Sequence, residues 1–307
     1  MRYRPFGRSG NAVSAIALSL DERALQGGRA ACKALVFEAL EQGVNTFHLS
    51  GAEPILLEVV GEALAPVDRS LVFVALCIGD QPTRGGRIVR DFSPEGLTHA
   101  VDRALSVSGL SHIDLAMLDN PAGDEMPQAS LTALKAQRSA GRVRLLGVGG
   151  AGPVMESYVS TNAFDVLGIH FHVNSPWSVR NLIRSAVERD MAVIAREYFP
   201  AELDTAKKAE ASSRPKRKGL FGLGKAPENP LAGAGTFAFL HRTPNWTAEE
   251  ACLAYVLTEP TLATVLVEAN DSERLASLAR VPERDLPPGL TAQIEMARVG
   301  AANQQVA

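Results

Sequence analysis

The chain has 307 residues, 46% of them hydrophobic and 21% charged, and its 31 basic and 34 acidic residues give a formal net charge of −3. That composition suits a globular protein with one large core, and the slight acidity argues against a nucleic-acid partner. No run approaches the roughly 18 apolar residues of a membrane span, residues 1–10 lack the apolar centre of a secretory leader, and three widely spaced cysteines (Cys32, Cys77 and Cys252) fit a reducing, cytoplasmic setting better than a disulfide framework.

Along the chain, short apolar runs alternate with amphipathic segments. The strand-like runs are 15–20 (AIALSL), 44–50 (VNTFHLS), 71–78 (LVFVALCI), 113–119 (IDLAMLD), 143–150 (VRLLGVGG), 164–173 (FDVLGIHFHV), 192–199 (AVIAREYF) and 263–269 (ATVLVEA). They are continuously apolar, as parallel strands buried on both faces must be. Between them the punctuation marks helices. One runs from about Arg29 to a stop at Gly43, and a second covers 54–64. A third opens at Ser93-Pro94, a cap followed by proline at the first helical position, and ends near Gly109. Others end at Gly141 and lie around 152–161 and 178–189. The Thr247–Glu250 spacing is a capping box, and the last helix starts at Asp271. Eight regular strand–helix units imply a parallel sheet closed into a single (β/α)8 barrel across residues 1–307. The working site of such a barrel sits at the C-terminal ends of its strands.

Residues 206–235 interrupt the rhythm with a basic, Gly/Pro-rich insertion after the seventh strand, whose composition reads as loop. Its Gly219–Lys225 stretch resembles a phosphate-binding loop, but Ala226 replaces the Ser or Thr that would hold magnesium. Its lysines, arginines, Leu220 and Phe221 could meet an acidic partner or an anionic membrane surface.

The sequence resembles the aldo-keto reductase superfamily. The opening RYRPFGRSGNAVSAIAL is similar to that family's N-terminal hairpin and first strand, LEQGVNTFHLSGAEPILLEVVGEAL to its second strand and helix, and FSPEGLTHAVDRALSVSGLSHIDLAMLDNP to its third helix and fourth strand. GRVRLLGVGG and VIAREYFPAEL resemble its fifth and seventh strands, and residues 247–275 its cofactor-proximal end. The resemblance implies a (β/α)8 barrel with an N-terminal β-hairpin, NADP(H) as cofactor if the family activity is kept, and an Asp-Tyr-Lys-His tetrad. At the four tetrad positions this chain has His48, Glu53, Cys77 and Asp119. Hydride addition to a carbonyl builds alkoxide charge and needs a positioned acid. An ionised Glu53 would repel that charge, and Cys77 brings no cation to offset it. At the cofactor positions, Gly149 and Gly150 replace the family's Ser-Asn pair, Gly168 its glutamine, and Arg196 the tyrosine that stacks on nicotinamide. Val267, Glu268, Ala269 and Asn270 stand for its Pro-Gly-Ala-Ser, with Glu268 opposing a bound polyanion, and Leu278 replaces the adenine-contacting asparagine.

What remains supports three readings. A protein with an emptied catalytic mouth would bind a small molecule or regulate, without reducing carbonyls and without a cofactor. A repurposed enzyme would use His48 with Asp119 as its orienter, aided by His170, with or without a metal held by His48, Cys77, Asp119, His170 and His172. A retained oxidoreductase would need a surrogate acid, for which Tyr198 at the end of the seventh strand is the candidate. Set beside these are blander roles: a satisfied polar pair for His48, an inert buried thiol without an adjacent cation for Cys77, a rim aromatic for Tyr198, and an ion pair inside the mouth for Arg196 with Glu197, Glu268 or Asp119.

Overall fold

The computed structural model describes residues 1–82, 88–204 and 235–304. An antiparallel hairpin, β1 (Tyr3–Pro5) and β2 (Ala12–Ser14), precedes the barrel. The barrel strands are β3 (Ile16–Leu20), β4 (Thr46–Leu49), β5 (Phe73–Ile78), β8 (Ile113–Asp119), β9 (Val143–Gly150), β10 (Val166–His170), β11 (Ala192–Arg196) and β12 (Leu262–Glu268). All eight pair in parallel and close in the order β3-β4-β5-β8-β9-β10-β11-β12. A small hairpin, β6 (Asp80–Pro82) with β7 (Ile88–Arg90), follows β5 on the mouth side. The helices are α1 (Arg29–Glu41), α2 (Pro54–Leu64), α3 (Pro94–Ser108), α4 (Gln128–Ser139), α5 (Val154–Ser160), α6 (Trp177–Val187), α7 (Ala248–Leu257), α8 (Ser272–Arg280) and α9 (Leu290–Gln304). No helix among the described residues is long and apolar enough to cross a membrane.

Local chemistry explains most boundaries. Ser93 caps α3 by accepting from Gly96 N at 3.0 Å, and Gly109, at φ 68°, closes that helix in the left-handed region open to glycine. Both arms of the Thr247–Glu250 capping box form on α7. Two strands end earlier than their apolar runs. The run 164–173 is strand only to His170, so His172 lies beyond it in the loop. The run 192–199 ends at Arg196 because Glu197 turns to φ 50° and breaks the extended backbone. Tyr198 therefore does not end the strand. The β6–β7 hairpin and α9 carry no strong apolar period and were not expected. The insertion 206–235 lies outside the described residues except for Gly235, which opens a 3-10 helix, Gly235–Arg242.

The core divides in two. Between strands and helices lies a large cluster that includes Val36, Leu57, Val101, Leu146 and Leu253. Inside the barrel lies a smaller one: Phe6 and Val13 from the hairpin, then Phe73, Leu115, Val166 and Ile194, then Cys77, Met117 and Leu266. The hairpin thus plugs the N-terminal end of the barrel, and the interior positions nearest the C-terminal strand ends form the floor of a mouth.

Candidate functional site in the barrel mouth

Strand parity places Ser19, His48, Cys77, Asp119, Gly149, Gly168, His170 and Arg196 toward the barrel axis. Around this ring, neighbours are set by register: His48 faces Ser19 on β3, Asp119 faces Gly149, Gly149 faces Gly168, and His170 faces Arg196.

The expected pairing of His48 with Asp119 does not form. His48 is 1% exposed; its Nδ1 lies 3.0 Å from Ser19 Oγ and its Nε2 3.2 Å from Cys77 Sγ. Burial, with the nearby Arg196 charge, pushes the imidazole down to about 3, so it is neutral near pH 7. Cys77 does have a neighbouring cation in Arg196, contrary to the sequence expectation. Burial still dominates and pushes the thiol up to about 12. The Ser19–His48–Cys77 chain is a buried neutral network.

Asp119 instead holds Arg196. Its Oδ1 accepts from Arg196 Nη1, closing an ion pair from β8 to β11 across β9 and β10. The two crossed strands carry glycine beneath it. A Cβ at Gly149 would sit 2.9 Å from Arg196 Nη1, and one at Gly168 would sit 3.4 Å from Arg196 Cδ. At Gly150 a Cβ would come within 2.5 Å of Asn120 Oδ1. These glycines make room for the Asp119–Arg196 pair and for Asn120, so residues 119, 149, 168 and 196 form one fitted set.

The other expected residues separate. Glu53 does not reach the ring: it caps α2, accepting from Leu56 N at 2.6 Å, and lines a neighbouring cavity of about 340 Å³ with Asp21, Glu22 and Asp80. Helix caps and tetrad positions both lie after strands, so the alignment alone could not separate these roles. Tyr198 is 5% exposed and donates its hydroxyl to Glu249 at 2.6 Å; burial and that carboxylate hold its pKa well above the ordinary value. His170 Nδ1 lies 3.3 Å from Glu197 Oε2, and His172 Nδ1 accepts from Asn174 N at 3.1 Å. Burial lowers both imidazole pKa values. Glu268 is half-exposed and takes Arg23 Nη2 at 2.7 Å, and Asn270 is exposed just before Asp271, the cap of α8. Among the described residues no three His, Cys, Asp or Glu side chains gather closely enough to hold a metal.

Above the ring opens a cavity of about 510 Å³ at the ends of β3, β4, β11 and β12. Its charged lining comprises Arg23, Arg196 and Arg274 against Glu197, Glu202, Asp204, Glu249 and Glu268. Arg274 Nη2 reaches Glu249 at 2.7 Å, and Arg23 bridges Asp21 and Glu268. Sequence reasoning missed Arg23, Arg274 and Glu249, which lie on a 3-10 turn (Glu22–Leu25) and two helices. Only the fold brings them to the mouth.

A closed eight-stranded parallel barrel, plugged by an N-terminal hairpin and open to a polar mouth, defines a (β/α)8 protein with its site at the strand C-termini. The sequence pattern of the Aldo/keto reductase family matches residues 29–298, and the chain belongs to that family. It is similar to the D-threo-aldose 1-dehydrogenase of Pseudomonas sp, at 22% identity over 216 residues, covering 68% of this chain and 64% of that protein's length. The fold is similar to that of aldo-keto reductase AKR11C1 from Bacillus halodurans. Its holo form superposes with a TM-score of 0.76 at 20% identity, and its apo form with 0.68 at 18%, each covering 97% of this chain and 96% of the other.

Proposed function

We propose that this family member works as a small-molecule binding protein on a reductase scaffold and does not reduce carbonyls. The observation that carries this reading is the commitment of the two candidate proton donors, Tyr198 and His48. The one tyrosine in the cavity lining gives its hydroxyl to Glu249. His48 is buried and neutral, and the ring cation, Arg196, is tied to Asp119. Neither Tyr198 nor His48 can donate to a bound carbonyl without giving up its present bond, and loss of a general acid alone costs about 10²–10⁴-fold in rate.

The lining also fits a nicotinamide dinucleotide poorly. Among the described residues, Arg23, Arg196 and Arg274 line the cavity, and each already has a carboxylate partner. A polyanion entering there would also meet the Glu197, Glu249 and Glu268 carboxylates beside those guanidiniums. The dehydrogenase activity in the name of the Pseudomonas relative, and the cofactor implied by the holo form of AKR11C1, therefore stay with those proteins in this reading. Three free, buried thiols at Cys32, Cys77 and Cys252 support a reducing, cytoplasmic setting.

Fluorescence titration with NADPH tests the reading, together with NADPH turnover over a panel of aldehydes and quinones. Neither saturable binding nor turnover is expected. Tight NADPH binding overturns it, as does reduction that Tyr198→Phe abolishes.

A further inference from the structure

We propose that the mouth cavity binds a small zwitterion with an apolar body, its carboxylate on the open donors of Arg196 and its ammonium against the Glu197 carboxylate. This deepens the reading of the mouth as a binding site without hydride transfer, and it rests on that reading.

Arg196 is held as a fixed donor. Asp119 takes Nη1, Gly149 and Gly168 leave the guanidinium its space, and Asp119 is the only hydrogen-bond partner of that guanidinium given by the described residues. The side chain lines the cavity and is 18% exposed, so its remaining N–H donors serve the cavity. A guanidinium anchored on one side and open on the other is arranged to take a planar carboxylate.

Glu197 is brought to the same cavity by a break in the backbone. Consecutive strand residues point to opposite faces, so a regular β11 would send Glu197 away from the mouth. At φ 50° it instead joins Arg196 in the cavity wall. The other positive-φ residues that are not glycine are Asn120, Asn162, Asp190 and Asn245, side chains that tolerate this region, whereas Glu197 has no such ease. Strain of this kind persists where the surroundings enforce it and gathers at ligand sites. The Glu197 side chain is 69% exposed, and the two imidazoles that feel its carboxylate, His170 and His172, are both held toward the neutral form by burial.

The charge balance decides the ligand class. Glu197 beside Arg196 disfavours a plain anion, while the open donors of Arg196 are wasted on a plain cation. A molecule with both charges uses adjacent side chains of opposite sign. Phe199, Pro200 and Leu266 line the same cavity and suit an apolar body, and about 510 Å³ accommodates a small molecule.

Three probes test this by ligand-observed NMR and calorimetry on the full chain: L-phenylalanine, phenylpropionate (which lacks the ammonium) and phenethylamine (which lacks the carboxylate). L-Phenylalanine should bind saturably, and each one-charge analogue roughly tenfold or more weakly. Gly149→Ala places a methyl against the far end of Arg196 and should weaken L-phenylalanine and phenylpropionate while sparing phenethylamine. Glu197→Gln should weaken L-phenylalanine and phenethylamine while sparing phenylpropionate. Thermal melts confirm that both variants fold. The proposal is overturned by an analogue that binds as tightly as the zwitterion, by variants that leave all three affinities unchanged, or by no saturation up to about 10 mM, below the weakest useful recognition. NADPH in the same assay separates the failures. Its tight binding overturns the proposed function as well, whereas absence of both ligands overturns this inference alone.

Discussion

The two ends of the barrel use polar groups in opposite ways. At the closed end, Asp114 is 1% exposed and accepts from Val74 N at 2.8 Å and from Arg69, with Arg144 Nη1 at 3.3 Å. Arg69 also donates to the carbonyls of Val72 and His112, at 2.7 and 2.9 Å. Charge there is bonded to backbone and ties β5 to β8. At the mouth, Asp119 and Arg196 bind each other side chain to side chain, over glycines, and the residues that follow them, Asn120 and Glu197, have positive φ. Polar groups at the closed end hold strands, while those at the mouth hold each other and keep a cavity open. Barrels of this architecture separate stability from function along the same axis.

Mutation should expose that contrast. The largest effect is expected at the plug: Phe6 is 1% exposed and stacks near Phe73 with ring centroids 4.5 Å apart. Phe6→Ala should cost about 3–5 kcal/mol in urea unfolding; a loss under about 1 kcal/mol would mean that the hairpin is dispensable to the inner core. Asp114→Ala strands Arg69 and Val74 N and should cost about 3 kcal/mol. Asp119→Ala, at a side chain 35% exposed, should cost distinctly less in the same measurement, and equal losses would erase the distinction between the ends.

Acid should act through the mouth. The folded chain refuses the His48 proton down to about pH 3, whereas the unfolded chain takes it near 6.5. Between those values the unfolded state binds more protons, so stability falls as pH drops from about 6.5 toward 3, by up to about 1.4 kcal/mol per pH unit. Subtracting the pH–stability curve of His48→Gln from that of the parent isolates this slope; parallel curves would contradict it. The smallest effect has the opposite sign. Glu197→Gly relieves the positive φ and should raise stability by about 1 kcal/mol, read as a higher urea midpoint, with loss of the ammonium arm of the zwitterion site.

The amino-acid sequence was most informative where structure is local. Strands 113–119 and 143–150, helix 54–64 and the Thr247 capping box emerge with the boundaries their patterns imply. The candidate site was legible only in part. Parity names the faces of His48, Cys77 and Asp119, but which side chains touch depends on their order around a closed ring. Chemistry alone offers Asp119 two partners, His48 and Arg196. Closure selects the second: Asp119 reaches across β9 and β10 to Arg196, and His48 turns to Ser19 and Cys77. Glycines at 149 and 168 were the signal that a long side chain crosses there; read only as lost binding groups, they looked like decay.

Hydrophobic period and helix punctuation by themselves determined a (β/α)8 barrel and the family it belongs to, because burying apolar faces and satisfying helix ends are demands met within a few turns or strands. Closure of the sheet decided the rest. Contacts between residues 77 positions apart, such as Asp119 and Arg196, and the turn that brings Glu197 beside them, follow from strand register and from the space glycine leaves, neither of which a linear pattern encodes.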